Sequence, residues 1–551
     1  MKTIRLLFVV VLGLFSFLHA ATFTVTTNAD SGIGSLREAM ANADNIAGAD
    51  TVNFDPSLSG QTITLSSHES LGYAINITSD VTVDASALTG GVTISGGNSQ
   101  CIFHVSFGRS VSLTALTLVD GISGNGGSVN NDGTLTVNQC IFSGNVAGAG
   151  GAIGNFGMLT VNQCTFSGNT ANVTGNTSNG GRGGGIYNYK TGILTVNQST
   201  FSGNKANGGG YGYGGGIYSV GAMSLNQNTF SGNTADTLGG AILSYTSEDF
   251  IPQNTTLTQC TFSGNTAAEG GAIWNGLGGL MKLTHCTLSG NSAPAGSGSG
   301  VASYGDSSSR TEVRNTIIAG NMNSDVDFTT LSTNSFISDG HNLIGSGNAT
   351  GNFNQMGDLI NNSPNLAPLG SYGGPTQTMA LSPGSPARNA ATVLAPAITT
   401  DQRGFPIVGT PDIGAYEAGT LGMNYNAYIW ETLPTAGNGT TTDPLHSATY
   451  DYDADGQTNG AEWAALTDPA SAVSVFRITS AVSSGSNLVL NFPTVIGRNY
   501  TLQRSDDLTN GSWTTVGLPA PVTLRGSGAV RQFTVSTTSP SHSFFRIFVG
   551  P

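Results

Sequence analysis

Charge is what this sequence has least of. Only 9% of its 551 residues are Asp, Glu, Lys or Arg, where roughly a quarter is usual for a soluble domain. The 18 basic residues are scattered and the formal charge is −14, so nothing is clustered to neutralise phosphates and no nucleic-acid partner is expected. Acidic polysaccharide would be repelled over most of the surface as well. Cysteine is scarce too: five residues are few for a disulfide scaffold. Beyond the first twenty residues no apolar run is long enough for a membrane helix.

What is abundant is glycine, 79 residues of it, recurring at fixed places in a repeated phrase. The phrase reads LTVNQCTFSGN and is followed after a variable gap by GGAI. Its phenylalanine falls at Phe142, Phe166, Phe201, Phe230 and Phe262, with Leu288 and Ile318 in two later copies, so successive spacings are 24, 35, 29, 32, 26 and 30 residues. Spacing of this order signals a solenoid, in which fixed rungs are joined by loops of free length. Leu135-Thr136-Val137 alternates apolar and polar residues, as a strand with one buried face does. The chain is expected to bend at Asn138-Gln139 and start a second short strand at Cys140 and Phe142. Gly150-Gly151-Ala152-Ile153 supplies a third, entered through glycines that tolerate turn dihedrals. Three short strands per turn describe a parallel β-helix with like residues stacked about 4.8 Å apart. Asn145, Asn169, Asn204, Asn233, Asn265, Asn291 and Asn321 then form one ladder at a turn. Cys140, Cys164, Cys260 and Cys286 share an inward slot with Ser199 and Asn228; Cys101 lies outside the pattern. Stacked neighbours at such short spacing are expected to stay free thiols rather than pair.

The alternation of FxxN with GGAI over residues 116–321 resembles the repeats of the chlamydial-type polymorphic outer-membrane proteins, a family of surface adhesins. The resemblance implies a β-helix and, less specifically, adhesion. The membrane-embedded barrel of that family has no counterpart here, so its anchoring route is not implied.

Lys2 and Arg5 precede an apolar run from Leu6 to Leu18, with Ala20 and Ala21 at a cleavage position, which reads as a signal peptide over 1–20. Residues 21–80 resemble the CSLREA domain that begins many secreted β-helix proteins, with Ser35 in place of the cysteine. Leu36, Ala39, Met40 and Ala43 sit at helical spacing there and predict a helical cap over the open end of the solenoid. The repeats proper run over 81–335. Residues 336–420 end in Asp401-Gln402-Arg403-Gly404 and Asp412-Ile413-Gly414-Ala415-Tyr416-Glu417 and resemble the choice-of-anchor Q region of bacterial surface β-helices, which implies a salt-bridged C-terminal cap. Residues 421–472 form a linker, and the strongly alternating runs of 473–551 predict a small β-sandwich. The fold class is therefore all-β: a right-handed parallel β-helix with an N-terminal helical cap and a C-terminal sandwich.

Within the linker, Asp451 to Glu462 matches the twelve-residue calcium loop in full. Asp451, Asp453 and Asp455 offer oxygens at positions one, three and five, Gly456 gives the sharp turn, Gln457 a carbonyl, Asn459 a further oxygen, and Glu462 closes the site. No clear entering helix precedes Asp451, so a single dockerin-like loop fits better than a paired EF-hand.

Two function classes compete on this architecture. A glycosidase needs two carboxylates at defined separation, and a lyase needs a base plus a charge neutraliser. Between residues 116 and 321 acids occur singly, at Asp120, Asp132, Asp236, Asp249, Glu269, Asp306 and Glu312, and the bases do not share a slot. No catalytic residue is assigned, and polysaccharide lyase or glycoside hydrolase is the alternative. The favoured class is a non-catalytic, adhesin-like, secreted or cell-surface protein that binds carbohydrate or a surface protein and is no integral membrane protein once the signal is removed. The loops between FxxN and the glycine pair vary most and all leave on one edge. There Tyr211 and Tyr213, with Tyr187, Tyr189 and Tyr218 nearby, suit sugar stacking or protein contact.

Overall fold

The structure is a computed structural model, and it describes residues 20–67, 72–172, 180–246, 254–305, 308–329, 335–419, 424–433, 444–505, 513–518, 520–521, 523–536 and 544–550. The expected signal peptide lies outside them, apart from Ala20. Three long all-parallel sheets, of 12, 12 and 10 strands, wind into a right-handed β-helix. Sheet A carries the Leu-Thr-Val-Asn strands, sheet B the Thr-Phe-Ser strands and sheet C the Ala-Ile strands. Register is strict: Leu135 pairs with Leu159, which pairs with Leu194, and Phe142 with Phe166 and then Phe201. A one-residue slip would turn each apolar row outward, which is why the pattern fixes the pairing.

The rungs hold more than the expected three strands. A fourth, five-stranded sheet lies between B and C, built from Ile122–Asn125, Val146–Ala149, Thr170–Asn172, Lys205–Asn207 and Thr234–Ala235. Inside, the five phenylalanine rings stack at 4.6–4.8 Å with interplanar angles of 1–10°, and none is exposed. At the turn after sheet B the asparagines form the expected ladder. The side chain of Asn169 donates to Asn204 Oδ1 at 2.9 Å and to the Phe142 carbonyl at 2.9 Å, and Asn204 does the same one rung on. Each buried amide thus satisfies groups of two neighbouring rungs. The ladder ends on a carboxylate, Asp325 Oδ1 accepting from the Asn321 side chain at 2.8 Å. The bend after sheet A falls on the glutamines: Gln139, Gln163 and Gln198 have φ of 54°, 54° and 49°, and their side chains bond in a row outside. All five cysteines are buried free thiols, and burial pushes the Cys101 thiol up to about 12.

Helix α1 (Leu36–Asp44) covers the first rung with Leu36, Ala39, Met40 and Ala43 buried. Ser35 Oγ accepts from Glu38 N at 3.2 Å and Glu38 accepts from Gly34 N at 2.5 Å, a reciprocal cap.

At the other end the structure departs from the expected cap. Phe336, Ile344, Ala349, Phe353 and Ile360 belong to the solenoid core and close its last rungs. Residues 364–419 instead turn back as a strap along the outside of sheet B. Gln402 is fully buried; Thr261 Oγ1 donates to its Oε1 at 2.5 Å, and its Nε2 donates to Thr229 Oγ1 at 3.0 Å. Further along, Gly414 N donates to the Asn315 carbonyl at 2.8 Å and Ala415 N to Thr287 Oγ1 at 3.0 Å. The charged residues Asp401, Arg403, Asp412 and Glu417 are the strap's own buried brace. Arg403 pairs with Asp401 at 2.7 Å and lies 3.6 Å over the Tyr416 ring. Glu417 accepts from the backbone of Val408 and Asp412.

Helices α2 (Tyr425–Thr432) and α3 (Asn459–Ala465) follow, packed on each other. The C-terminal sandwich has two antiparallel sheets, one of Ser480–Ser484, Asn487–Pro493 and Val530–Ser536, the other centred on Asn499–Ser505 and Phe544–Gly550. Leu490, Phe492, Tyr500, Leu502, Phe533 and Val535 fill its core.

Candidate functional site

Two places gather chemistry-bearing side chains. The first is the outer face of sheet C. In the Ile-Tyr-Asn strands the isoleucine points inward and the tyrosine outward, so registered neighbours Tyr187, Tyr218, Leu243 and Trp274 form one external row. Aromatic neighbours close around it, and together they span about 24 Å of the flank at the strand spacing of a parallel sheet. Tyr187 stands 5.4 Å from Tyr218 and 6.0 Å from Tyr189, and Tyr213 stands 6.4 Å from Tyr218. The Tyr218 and Tyr245 hydroxyls bond at 2.7 Å, and Arg182 lies 5.6 Å over the Tyr218 ring.

This sorts the five tyrosines singled out from sequence. Tyr187 and Tyr218 are 6% and 3% exposed, so they form the wall of the cluster and offer little ring area to a partner. Burial pushes the Tyr187 phenol up to about 12 and the Tyr218 phenol further still. Tyr189 and Tyr213 are half-buried at its rim. Tyr211 is 63% exposed at the tip of the loop over residues 205–214. Gly209 and Gly210, at φ of 58° and 100°, make that tip possible. The sequence reading missed Phe156, Tyr245, Trp274 and Tyr304, which complete the cluster. Trp274 follows Gly-Gly-Ala-Ile as Tyr218 follows Gly-Gly-Gly-Ile, while Phe156, Tyr245 and Tyr304 stand three residues after the inward Ile or Val, as Tyr189 does, and those shared slots were the signal.

Asp249 and Asp306 lie outside the described residues, and the acids that pair with cationic groups do so structurally. Glu312 pairs with Lys282 at 2.9 Å and Arg310 at 3.5 Å on the outside of sheet A. Asp132 pairs with His104 at 2.8 Å.

The second place is the loop from Asp451 to Glu462. Carboxylate oxygens of Asp451, Asp453 and Asp455 lie within 4.8 Å of one another. Gly456 has φ 94°, as position six of such a loop requires. Thr458 caps α3, which carries Asn459 and Glu462 into the loop. Asn459 donates its amide to the carbonyls of Leu445 and Ser447 at 3.0 and 3.1 Å, while its Oδ1 is buried without a partner. Glu462 is fully buried with both carboxylate oxygens unpartnered, as are Asp453 Oδ2 and Asp455 Oδ2. Burial first, then repulsion from Asp453, Asp455 and Asp451, pushes the Glu462 carboxyl up to about 7. Five buried oxygens facing no donor are costly, and a hard cation is what such a set of oxygens suits. Gln457 donates its side-chain amide to the Phe476 carbonyl at 3.3 Å.

The family model of the Chlamydia polymorphic membrane protein repeat matches residues 229–245 and 259–276. These are two phrases of the solenoid, each holding a sheet B strand and a sheet C strand. No curated protein matches the chain. Among solved structures the chain is similar to the crystal structure of the pectate lyase Pel9A, at 13% identity and a TM-score of 0.40, over 73% of this chain and 97% of that one. Among the described residues no helix is long and apolar enough to cross a membrane.

Proposed function

We propose that this chain is a non-catalytic, adhesin-like protein of the cell exterior that binds carbohydrate or a surface protein through loops on the sheet C edge of the solenoid. The observation that carries the reading is the contrast within the aromatic cluster. A buried wall of Tyr187, Tyr218 and Trp274 supports a rim where Tyr213 is half-buried and Tyr211 stands out at 63% exposure. An exposed tyrosine beside this cluster offers apolar ring area plus one hydroxyl to a partner, with few rotatable bonds to freeze. The match to the polymorphic membrane protein repeat agrees with a surface role. The test is Tyr211→Ser, alone and with Tyr213→Ser, assayed on cells and a glycan array. Binding should fall by about tenfold or more, the loss of one anchoring aromatic, with the circular dichroism spectrum unchanged. Full binding by the double variant, or turnover of any polysaccharide in a panel, would overturn the reading.

Calcium in the loop from Asp451 to Glu462 is the second proposal, supported by the orphaned carboxylate oxygens of Glu462. Asp451, Asp453, Asp455, Asn459 and Glu462 would hold the ion with side-chain oxygens and Gln457 with its carbonyl. The ion would neutralise four carboxylates that otherwise repel one another. Calorimetry should report a dissociation constant on the order of 10⁻⁴–10⁻³ M, the range of extracellular modules. Equal heat from Asp451→Ala would count against the site.

A further inference from the structure

Helix α2 has two working faces. On one side Ala427 and Trp430 join the strap core with Tyr372 and Tyr416. Glu431 accepts there from the Tyr416 hydroxyl and from Gly419 N, the latter at 2.7 Å. On the other side Tyr428, Ile429 and Leu433 pack with Tyr452 of the loop, Trp463 of α3 and Leu466 at its C-terminal cap. Tyr425 meets the edge of Trp463 at 5.9 Å, and the Tyr428 hydroxyl donates to the Thr467 carbonyl at 2.6 Å. Among the described residues, α3 thus reaches the solenoid through α2 and the strap.

The same α3 faces the sandwich. Arg498 donates to the Trp463 carbonyl at 2.8 Å and lies 5.2 Å over its ring. The strand Phe544–Gly550 lies against α3. From the loop itself, Gln457 reaches the carbonyl of Phe476, whose ring packs 5.9 Å from Tyr500 and 6.3 Å from Phe492 of the sandwich core. Every one of these contacts starts within the loop or within one helical turn of Glu462.

We infer that the Asp451–Glu462 loop is a calcium-dependent joint, which fixes the C-terminal sandwich to the solenoid when the ion is bound and releases it when the ion is removed. The inference rests on the calcium reading above and adds what the ion does. With calcium, the five orphaned oxygens of Asp453, Asp455, Asn459 and Glu462 gain a common partner, and α3 is held at the angle that presents Trp463 to both Tyr425 and Arg498. Without it, mutual repulsion drives Glu462 out of its buried position, and Trp463 moves with the helix that carries both. A ligand that binds one state and not the other shifts the equilibrium by its differential affinity. The joint therefore sets how far the solenoid flank stands from whatever the sandwich engages.

The test places spin labels on the full chain at Thr256→Cys, outside sheet A, and Thr523→Cys, on the sandwich; both positions are exposed and the native cysteines are buried. The distance distribution should be broad in chelator and narrow to a single peak at saturating calcium. Arg498→Ala should still bind calcium by calorimetry, more weakly because docking no longer adds to the affinity, and should keep a broad distribution at saturating calcium. Calcium binding with a distribution that is equally narrow, or equally broad, in both conditions overturns the joint while the calcium site stands. Absence of binding heat overturns the calcium site and the joint together.

Discussion

At the scale of single residues, stability is concentrated in rows that neighbouring rungs share. Phe201 lies between Phe166 and Phe230, 4.6 and 4.8 Å from their ring centres and nearly parallel to both. Nothing can collapse into the space it fills, because the rings on either side are held by their own strands. Phe201→Ala should therefore cost about 3–5 kcal/mol, near the upper range for buried aromatics, read as a lowered denaturation midpoint and as faster hydrogen exchange in its rung. These rows were legible in the sequence because a row is a repeated letter, and the phenylalanine and asparagine slots barely vary. The fates of Tyr187 and Tyr218 were not legible. A tyrosine suits burial and exposure alike, and what decided between them was the presence of Leu243 and Trp274 in neighbouring copies of one slot, with Tyr245 packed beside them.

Among the elements, the strap is the one the sequence hid. Its bonds join residues far apart in the chain, Gln402 to Thr229 and Asn315 to Thr392, and no period announces them. The motif around Asp401 and Asp412 was visible as a charge cluster, and its place along a flank rather than over an end was not. The small fourth sheet was missed for a related reason, since Thr170-Ala171-Asn172 carries turn residues and too few apolar ones to read as a strand. The strap's burial has a measurable consequence. Burial, followed by repulsion from Asp412, pushes the Glu417 carboxyl from its ordinary 4.5 up to about 7. The folded state thus holds this proton more tightly than the unfolded chain does. Its contribution is fully present below the unfolded value, declines as pH rises from about 4.5 to about 7, and is lost above. His285 has the opposite sign, because burial pushes its pKa down to about 4 and its contribution is lost as pH falls below the ordinary 6.5. Comparison with Glu417→Gln isolates the first effect. The variant should gain on the wild type between pH 5 and 8 by on the order of 1–3 kcal/mol, measured by urea denaturation across pH. A constant difference over that range would show that Glu417 does not carry it.

For the molecule as a whole, a solenoid is close to one-dimensional: each rung touches its neighbours, and stability is a sum of local terms and interfaces. The strap breaks that symmetry. It crosses sheet B from the rung of Thr229 to that of Leu343, while the earlier rungs of the same sheet keep an open face. Thr229 and Thr261 are buried beneath Gln402, and the equivalent Thr165 and Thr200 are half-buried. The rungs under the strap are therefore tied to one another by a route that bypasses their nearest-neighbour contacts. Gln402→Ala removes that tie where it is densest, leaving the Thr229 and Thr261 hydroxyls and the Asn228 carbonyl without the bonds Gln402 makes to them. Each group keeps one other partner, Thr229 Oγ1 the Gln377 carbonyl, Thr261 Oγ1 the Thr378 hydroxyl and the Asn228 carbonyl Thr261 N, so each lost bond costs about 0.5–1.5 kcal/mol. Amide protection measured by hydrogen exchange should accordingly fall about tenfold or more in the strands Thr229–Ser231 and Thr261–Ser263. The strands Ile141–Ser143 and Thr165–Ser167, which the strap does not reach, should keep their wild-type rates. An equal loss in all four strands would mean that the solenoid opens as one unit, and that the strap stabilises it globally rather than rung by rung.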